Sequence, residues 1–159
     1  MNADQLDASH PPGQSALATA EREITRFLRR SRMASQQLAA SVHPDLDPAG
    51  YGILVNLFEL SATMPHGVRA SDLGAAQGLH KSTTSRNIAD LEALGLIRRV
   101  PDPSDARARL VQFTPSGEHS LRQIRAARRL KLSQSLSRWP AEDVENLSRL
   151  LRRLGDDLL

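Results

Sequence analysis

The chain has 159 residues, 40% of them apolar, a formal net charge of +3 and no cysteine. Its length and apolar share suffice for one sizeable core, and the missing thiols exclude disulfides, thiol catalysis, cysteine-based peroxide sensing and cysteine-ligated metal sites. No run approaches the roughly 18 apolar residues of a membrane span, and the start NADQLDASH lacks the basic and apolar parts of a secretion signal, so a cytoplasmic protein without a membrane partner is expected.

Residues 1–14, with HPPG and little apolar material, read as a flexible N-terminal arm. From Ser15 to Ser41 the chain reads as one long helix, with Leu17, Ala20, Ile24, Phe27, Leu28 and Leu38 near a 3.6-residue period, ended by His43 and Pro44. Asp47 followed by Pro48 marks the next helix start, because the carboxylate can cap free amides and Pro at the first position sacrifices no bond. That helix carries Tyr51, Leu54, Leu57 and Phe58 and stops before Pro65. A short helix near Ser71 to Gln77 is closed by Gly78, and another from Lys81 to Leu94 is closed by Gly95. Leu96 to Val100 and Arg109 to Thr114 read as a hairpin with its tip at Asp102 to Arg107. Thr114 and Pro115 open a further helix through Leu121, Ile124, Leu130 and Leu136. Trp139 and Pro140 start the last, where Val144, Leu147, Leu151, Leu154 and Leu158 recur at alternating steps of three and four.

Short helix, turn, helix, strand, charged hairpin tip and strand together make a winged helix-turn-helix. Such a unit sets one helix into the major groove of double-stranded DNA with a hairpin arm beside it. The fold class expected is therefore mainly α with a small β-hairpin wing. On the Lys81–Leu94 helix, Thr84, Ile88 and Leu91 form the inward face. Ser82, Arg86 and Asp90 then point away from the core, flanked by Thr83 and Ser85. With Lys81 they form the expected DNA-reading face, since Arg can bond bidentately to guanine while short hydroxyls approach bases or phosphates. Strand alternation puts Arg107 and Arg109 on one side of the wing, within reach of the minor groove or its phosphates. Asp105 is expected to orient Arg107 through a charge-assisted bond. Arg98 and Arg99 at the hairpin base are expected to meet phosphates or carboxylates.

Charge follows the same division. Residues 69–114 carry seven basic against five acidic groups and 115–139 six against one, whereas 140–159 reverse the sign. Nearly all the basic residues are Arg, whose planar donors suit phosphates and guanine edges. The last helix presents a coiled-coil-like seam, and the small reader cannot cover the apolar faces of the long helices at both ends. A homodimer is the simplest solution, with Leu17, Ile24, Leu147, Leu151, Leu154 and Leu158 at its interface. The chain then divides into an arm (1–14), an N-terminal dimerisation helix (15–46), a DNA-binding region (47–114) and C-terminal dimerisation helices (115–159).

The run from Val68 to Gly117 resembles the reader of the MarR family of bacterial transcription regulators. The family pattern appears as Asp72 and Leu73, Lys81 to Arg86, Gly95 to Ile97, Asp102 to Arg107, and Phe113 to Gly117, and the order of helices outside it matches as well. Gln77, His80, Thr84 and Ala106 depart from the usual Leu, Ser or Asp, Val and Arg. The resemblance implies a homodimeric repressor, often relieved by a small aromatic or phenolic effector bound between dimer region and reader. Phe27, Arg30, Tyr51 and Leu54 are the candidate pocket, although the same residues serve equally well as core.

An enzyme is not expected, because His10, His43, His66, His80 and His119 are scattered and no HExxH, GxSxG or phosphate-cradling glycine loop is present. No cofactor or metal is expected either, the weakest-excluded alternative being a sensor built on His43, Asp45 and Asp47. The remaining alternative is a winged-helix dimer that binds DNA constitutively, or binds proteins, without a ligand switch.

Overall fold

A computed structural model describes residues 12–158. Six helices and three strands follow in the order α1 (Pro12–Val42), α2 (Pro48–Leu60), β1 (Val68–Arg69), α3 (Ala70–Ala75), α4 (Lys81–Ala93), β2 (Ile97–Asp102), β3 (Asp105–Phe113), α5 (Pro115–Leu136) and α6 (Ala141–Leu158). The expected arm lies outside the described residues except for its last three, which already belong to α1. Asp47 caps α2 as its sequence context requires, Oδ1 accepting from the Gly50 amide at 2.6 Å. Thr114 does the same for α5 through Gly117 at 3.1 Å.

The core joins α2 to the reader. Ile53, Leu54 and Leu57 of α2 meet Leu73 of α3, Ile88 and Leu91 of α4, Ile97 and Val111 of the sheet and Leu121 of α5, all essentially inaccessible to solvent. The helix-turn-helix crossing needs a missing side chain: a Cβ on Gly74 would sit 2.6 Å from the Thr84 hydroxyl. Gly78 turns the chain between α3 and α4 at φ +65°, where it lets the Leu79 amide reach back to the Gly74 carbonyl at 2.9 Å.

The sheet is antiparallel in the order β1-β3-β2. Two features differ from expectation. β1 pairs Val68 with Val111 and Arg69 with Leu110, a two-residue strand too short to show a period. The wing strands also run further than expected, to Asp102 and from Asp105, which are paired partners. Only Pro103 and Ser104 make the turn, because the Asp102 carboxylate accepts both the Ser104 amide at 2.9 Å and its hydroxyl at 2.6 Å.

Outside the core the long helices are poorly covered. Only the C-terminal part of α1 is buried, through Ala39 and Val42, while Leu17, Ile24, Phe27, Leu28 and Met33 are exposed. α6 contains no buried residue. α5 is fastened to α2 by Arg122 and Arg125, whose guanidinium carbons lie 5.4 and 4.6 Å from the Phe58 ring centre, and by an Arg125–Glu59 pair at 3.4 Å. No helix among the described residues is long and apolar enough to cross a membrane.

Candidate nucleic-acid interface

α4 is anchored by its inner face and bare on its outer one. Thr84, Ile88 and Leu91 are buried as the period requires, and Lys81, Ser82, Ser85, Arg86 and Asp90 are exposed, with Thr83 half-buried. His80 begins the helix with extended backbone but makes no side-chain capping bond. Its carbonyl instead accepts from the Thr84 hydroxyl at 3.1 Å. The free amides of the first turn therefore keep no protein side-chain partner from the cap position, an arrangement that favours an approaching phosphate. Asn87 is the residue that sequence reasoning missed on this helix. It is buried, and its Nδ2 has no hydrogen-bond partner.

The wing carries Arg107 and Arg109 as exposed side chains two apart on β3, on the same side. Asp105 does not reach the Arg107 guanidinium in the way the spacing implied. Its Oδ1 accepts from the Arg107 backbone amide at 3.0 Å, because two residues along a strand start is the reach of an Asx-type turn. The wing is instead held by Asp102 and Arg69. The buried Asp102 carboxylate takes the Arg69 Nη2 at 2.8 Å across β1 and the wing. Hydrogen bonds from the Ser104 hydroxyl and amide, with the Arg69 guanidinium behind them, hold that carboxyl below the usual carboxylate range.

At the hairpin base the two Arg residues are already engaged. Arg98 donates to Gln112 Oε1 at 3.0 Å, and Arg99 pairs with Glu92 of α4 at 3.4 Å. Arg98 thereby links the two wing strands, and Arg99 ties the wing to the reader.

The candidate effector residues are not brought together. Tyr51 and Leu54 are core, whereas Phe27 is 65% exposed and Arg30 is exposed on α1. Apolar spacing alone could not separate a pocket wall from a core wall. The dimer candidates Leu17, Leu151 and Leu158 are well exposed, Ile24 less so, and Leu147 and Leu154 are half-buried. His43 and Asp45 bond locally, His43 Nδ1 accepting from the Asp45 amide at 3.2 Å, and Asp47 is committed to its cap. Among the described residues no three His, Asp or Glu side chains are grouped to hold a metal.

With this geometry in hand, comparison with known proteins is direct. The sequence profile of the MarR family matches residues 57–108, from α2 to the wing. The HTH-type transcriptional regulator YxaD of Bacillus subtilis (strain 168) is 31% identical over 89% of this chain and 94% of its own. Among solved structures, AbsC, a MarR family transcriptional regulator from Streptomyces coelicolor, superposes with a TM-score of 0.64 at 25% identity, covering 96% of this chain and 98% of its own. The MepR–DNA complex of S. aureus shares the fold with a TM-score of 0.66 at 18% identity, over 86% of this chain and 94% of that one. The match of YxaD along nearly its full length, together with the helix-turn-helix and wing described above, means that the chain belongs to the MarR family of HTH-type transcriptional regulators.

Proposed function

We propose that the protein is a sequence-specific repressor that binds a pseudo-palindromic operator as a homodimer and is released by a small molecule. The observation that carries this reading is the two-sided character of α4. Thr84, Ile88 and Leu91 sink one face into the core while Ser82, Ser85 and Arg86 stand free on the other, beside a wing with exposed Arg107 and Arg109. Arg86 reads a base edge, the hydroxyls of Ser82, Thr83 and Ser85 with Lys81 meet bases or phosphates, and the wing arginines hold the adjacent backbone or minor groove. The DNA complex of MepR, which has the same fold, supports this use of the reader.

Dimerisation is supported by the exposed apolar residues of α1 and α6. Residues 15–46 and 115–159 then serve as the paired stalk and 47–114 as the reader. Release needs a ligand that favours a dimer geometry with the reading helices wrongly spaced. About 1.4 kcal/mol of differential affinity lowers occupancy tenfold. Phe27 and Arg30 remain available on α1 for an aromatic effector, but Tyr51 and Leu54 are spent on the core.

The test compares two variants on operator and random DNA. Arg86→Ala is expected to cost about 1–3 kcal/mol per half-site on the operator and far less on random DNA. Arg107→Ala weakens both alike and lowers the salt slope by about one. Equal loss on both DNAs for Arg86→Ala would remove the base-reading role.

A further inference from the structure

Arg69 carries a charge from the edge of the sheet to the tip of the wing. β1 is an edge strand, and Arg69 stands opposite Leu110 of β3. Cross-strand partners share a face of a sheet and successive residues alternate between faces, so Arg69 lies on the face opposite to that of Arg107 and Arg109. From there its Nη2 donates to the Asp102 carboxylate at 2.8 Å, and Asp102 is the last residue of β2, directly before the Pro103–Ser104 turn. We propose that Arg69 is a DNA-contacting residue, holding a backbone phosphate on the wall of the minor groove opposite to the one met by Arg107 and Arg109.

The two partners of this pair are unequally covered. The Asp102 side chain is 5% exposed and the Arg69 side chain 49%. The buried carboxylate is satisfied on both oxygens, Oδ1 by the Ser104 amide and hydroxyl and Oδ2 by Arg69, so what the pair presents to solvent is the arginine. Among the described residues Asp102 is the one acceptor of the Arg69 guanidinium, which leaves most of its N–H donors open. A carboxylate behind a guanidinium fixes the direction of the fork, and a planar fork suits a phosphate. A ribbon seated in the narrow minor groove has a phosphate wall on each side, and Arg107 and Arg109, on one face, serve one of them.

The contact rests on the DNA reading proposed above. It differs in kind from base reading, because a phosphate carries no sequence information, and it sets the placement of the wing rather than the sequence chosen. An Arg69 that served structure alone would act only by keeping the wing in order through Asp102. Removing either partner would then have the same effect on DNA, and that separates the two roles.

The test uses the full chain and the tightest-binding duplex selected from a random pool, with single phosphates replaced one at a time by uncharged methylphosphonates. Coupling between a phosphate and a side chain is the non-additive part of the loss in affinity. In the parent protein, neutralising a contacted phosphate is expected to weaken binding about tenfold. In Arg69→Gln one such phosphate per half-site should become indifferent, changing affinity by less than about twofold. It should lie across the minor groove from those silenced by Arg107→Ala. In Asp102→Asn, which loosens the wing and keeps the guanidinium, the same phosphate should still respond. Should Arg69→Gln lose its fold, Arg69→Met, which keeps the apolar stem, takes its place. Silencing of the same phosphates by the Arg69 variant and by either Asp102→Asn or Arg107→Ala would overturn the proposal. So would a phosphate coupled to Arg107 with none coupled to Arg69, which leaves the DNA reading standing, whereas no coupling to either residue removes both.

Discussion

Asp102 shows what a single residue contributes beyond its place in a motif. In the sequence it is a turn residue between two prolines, and its burial depends on Arg69, which arrives from 33 positions away on a strand too short to leave a pattern. The outward row of α4 was legible, because fixing Thr84, Ile88 and Leu91 inward fixes Ser82 and Arg86 outward at about 100° per residue. Asn87 was not, since its position beside the inward face decides burial only once the α1–α2 connection is known to cover it. The lowered pKa of Asp102 has a definite sign. Because the folded value lies below the ordinary 3.8, the ionised carboxylate favours the ordered wing, fully above that value, and the benefit is lost as pH falls through the folded value. Wing amides followed by NMR should therefore broaden only in that acid window. Asp102→Asn should abolish the transition and weaken DNA binding already at neutral pH. A wing that stays ordered through the window in both proteins would show that the Arg69 tie is dispensable.

Among the elements, helix ends marked by Asp47, Thr114 and Gly78 could be read in advance because each has a local mechanism, and the structure places those caps accordingly. The wing was underestimated in length, since its turn is closed by Asp102 bonds that propensity does not encode. The crossing of α3 on α4 was equally hidden, as it depends on Gly74 meeting the Thr84 hydroxyl. Ala is the better helix former by about 1 kcal/mol, yet the clash with a buried, hydrogen-bonded side chain outweighs that gain. Gly74→Ala is expected to destabilise the protein by about 1–3 kcal/mol in urea unfolding. In a Thr84→Ala background the same change should cost measurably less, because the opposing atoms are gone. Additive effects would place the strain elsewhere.

For the whole molecule, the exposed apolar residues of α1 and α6 are the basis of the proposed pairing. Leu17, Phe27, Leu151 and Leu158 are each more than half exposed in the single chain, the kind of apolar surface that a second copy would cover. If α6 has no partner, Leu151→Asp is a surface change worth within about 0.5 kcal/mol. In a dimer it should halve the mass by light scattering and remove DNA binding with it. A monomeric parent protein at micromolar concentration would contradict the pairing. The central claim, that two copies of this reader recognise one DNA sequence together, is tested most directly by selecting bound fragments from a random duplex pool with the purified protein. The account predicts enrichment of a pseudo-palindrome whose half-sites lie about one helical turn, roughly 34 Å, apart. Enrichment of a single unrepeated motif, or of no sequence at all, would contradict it.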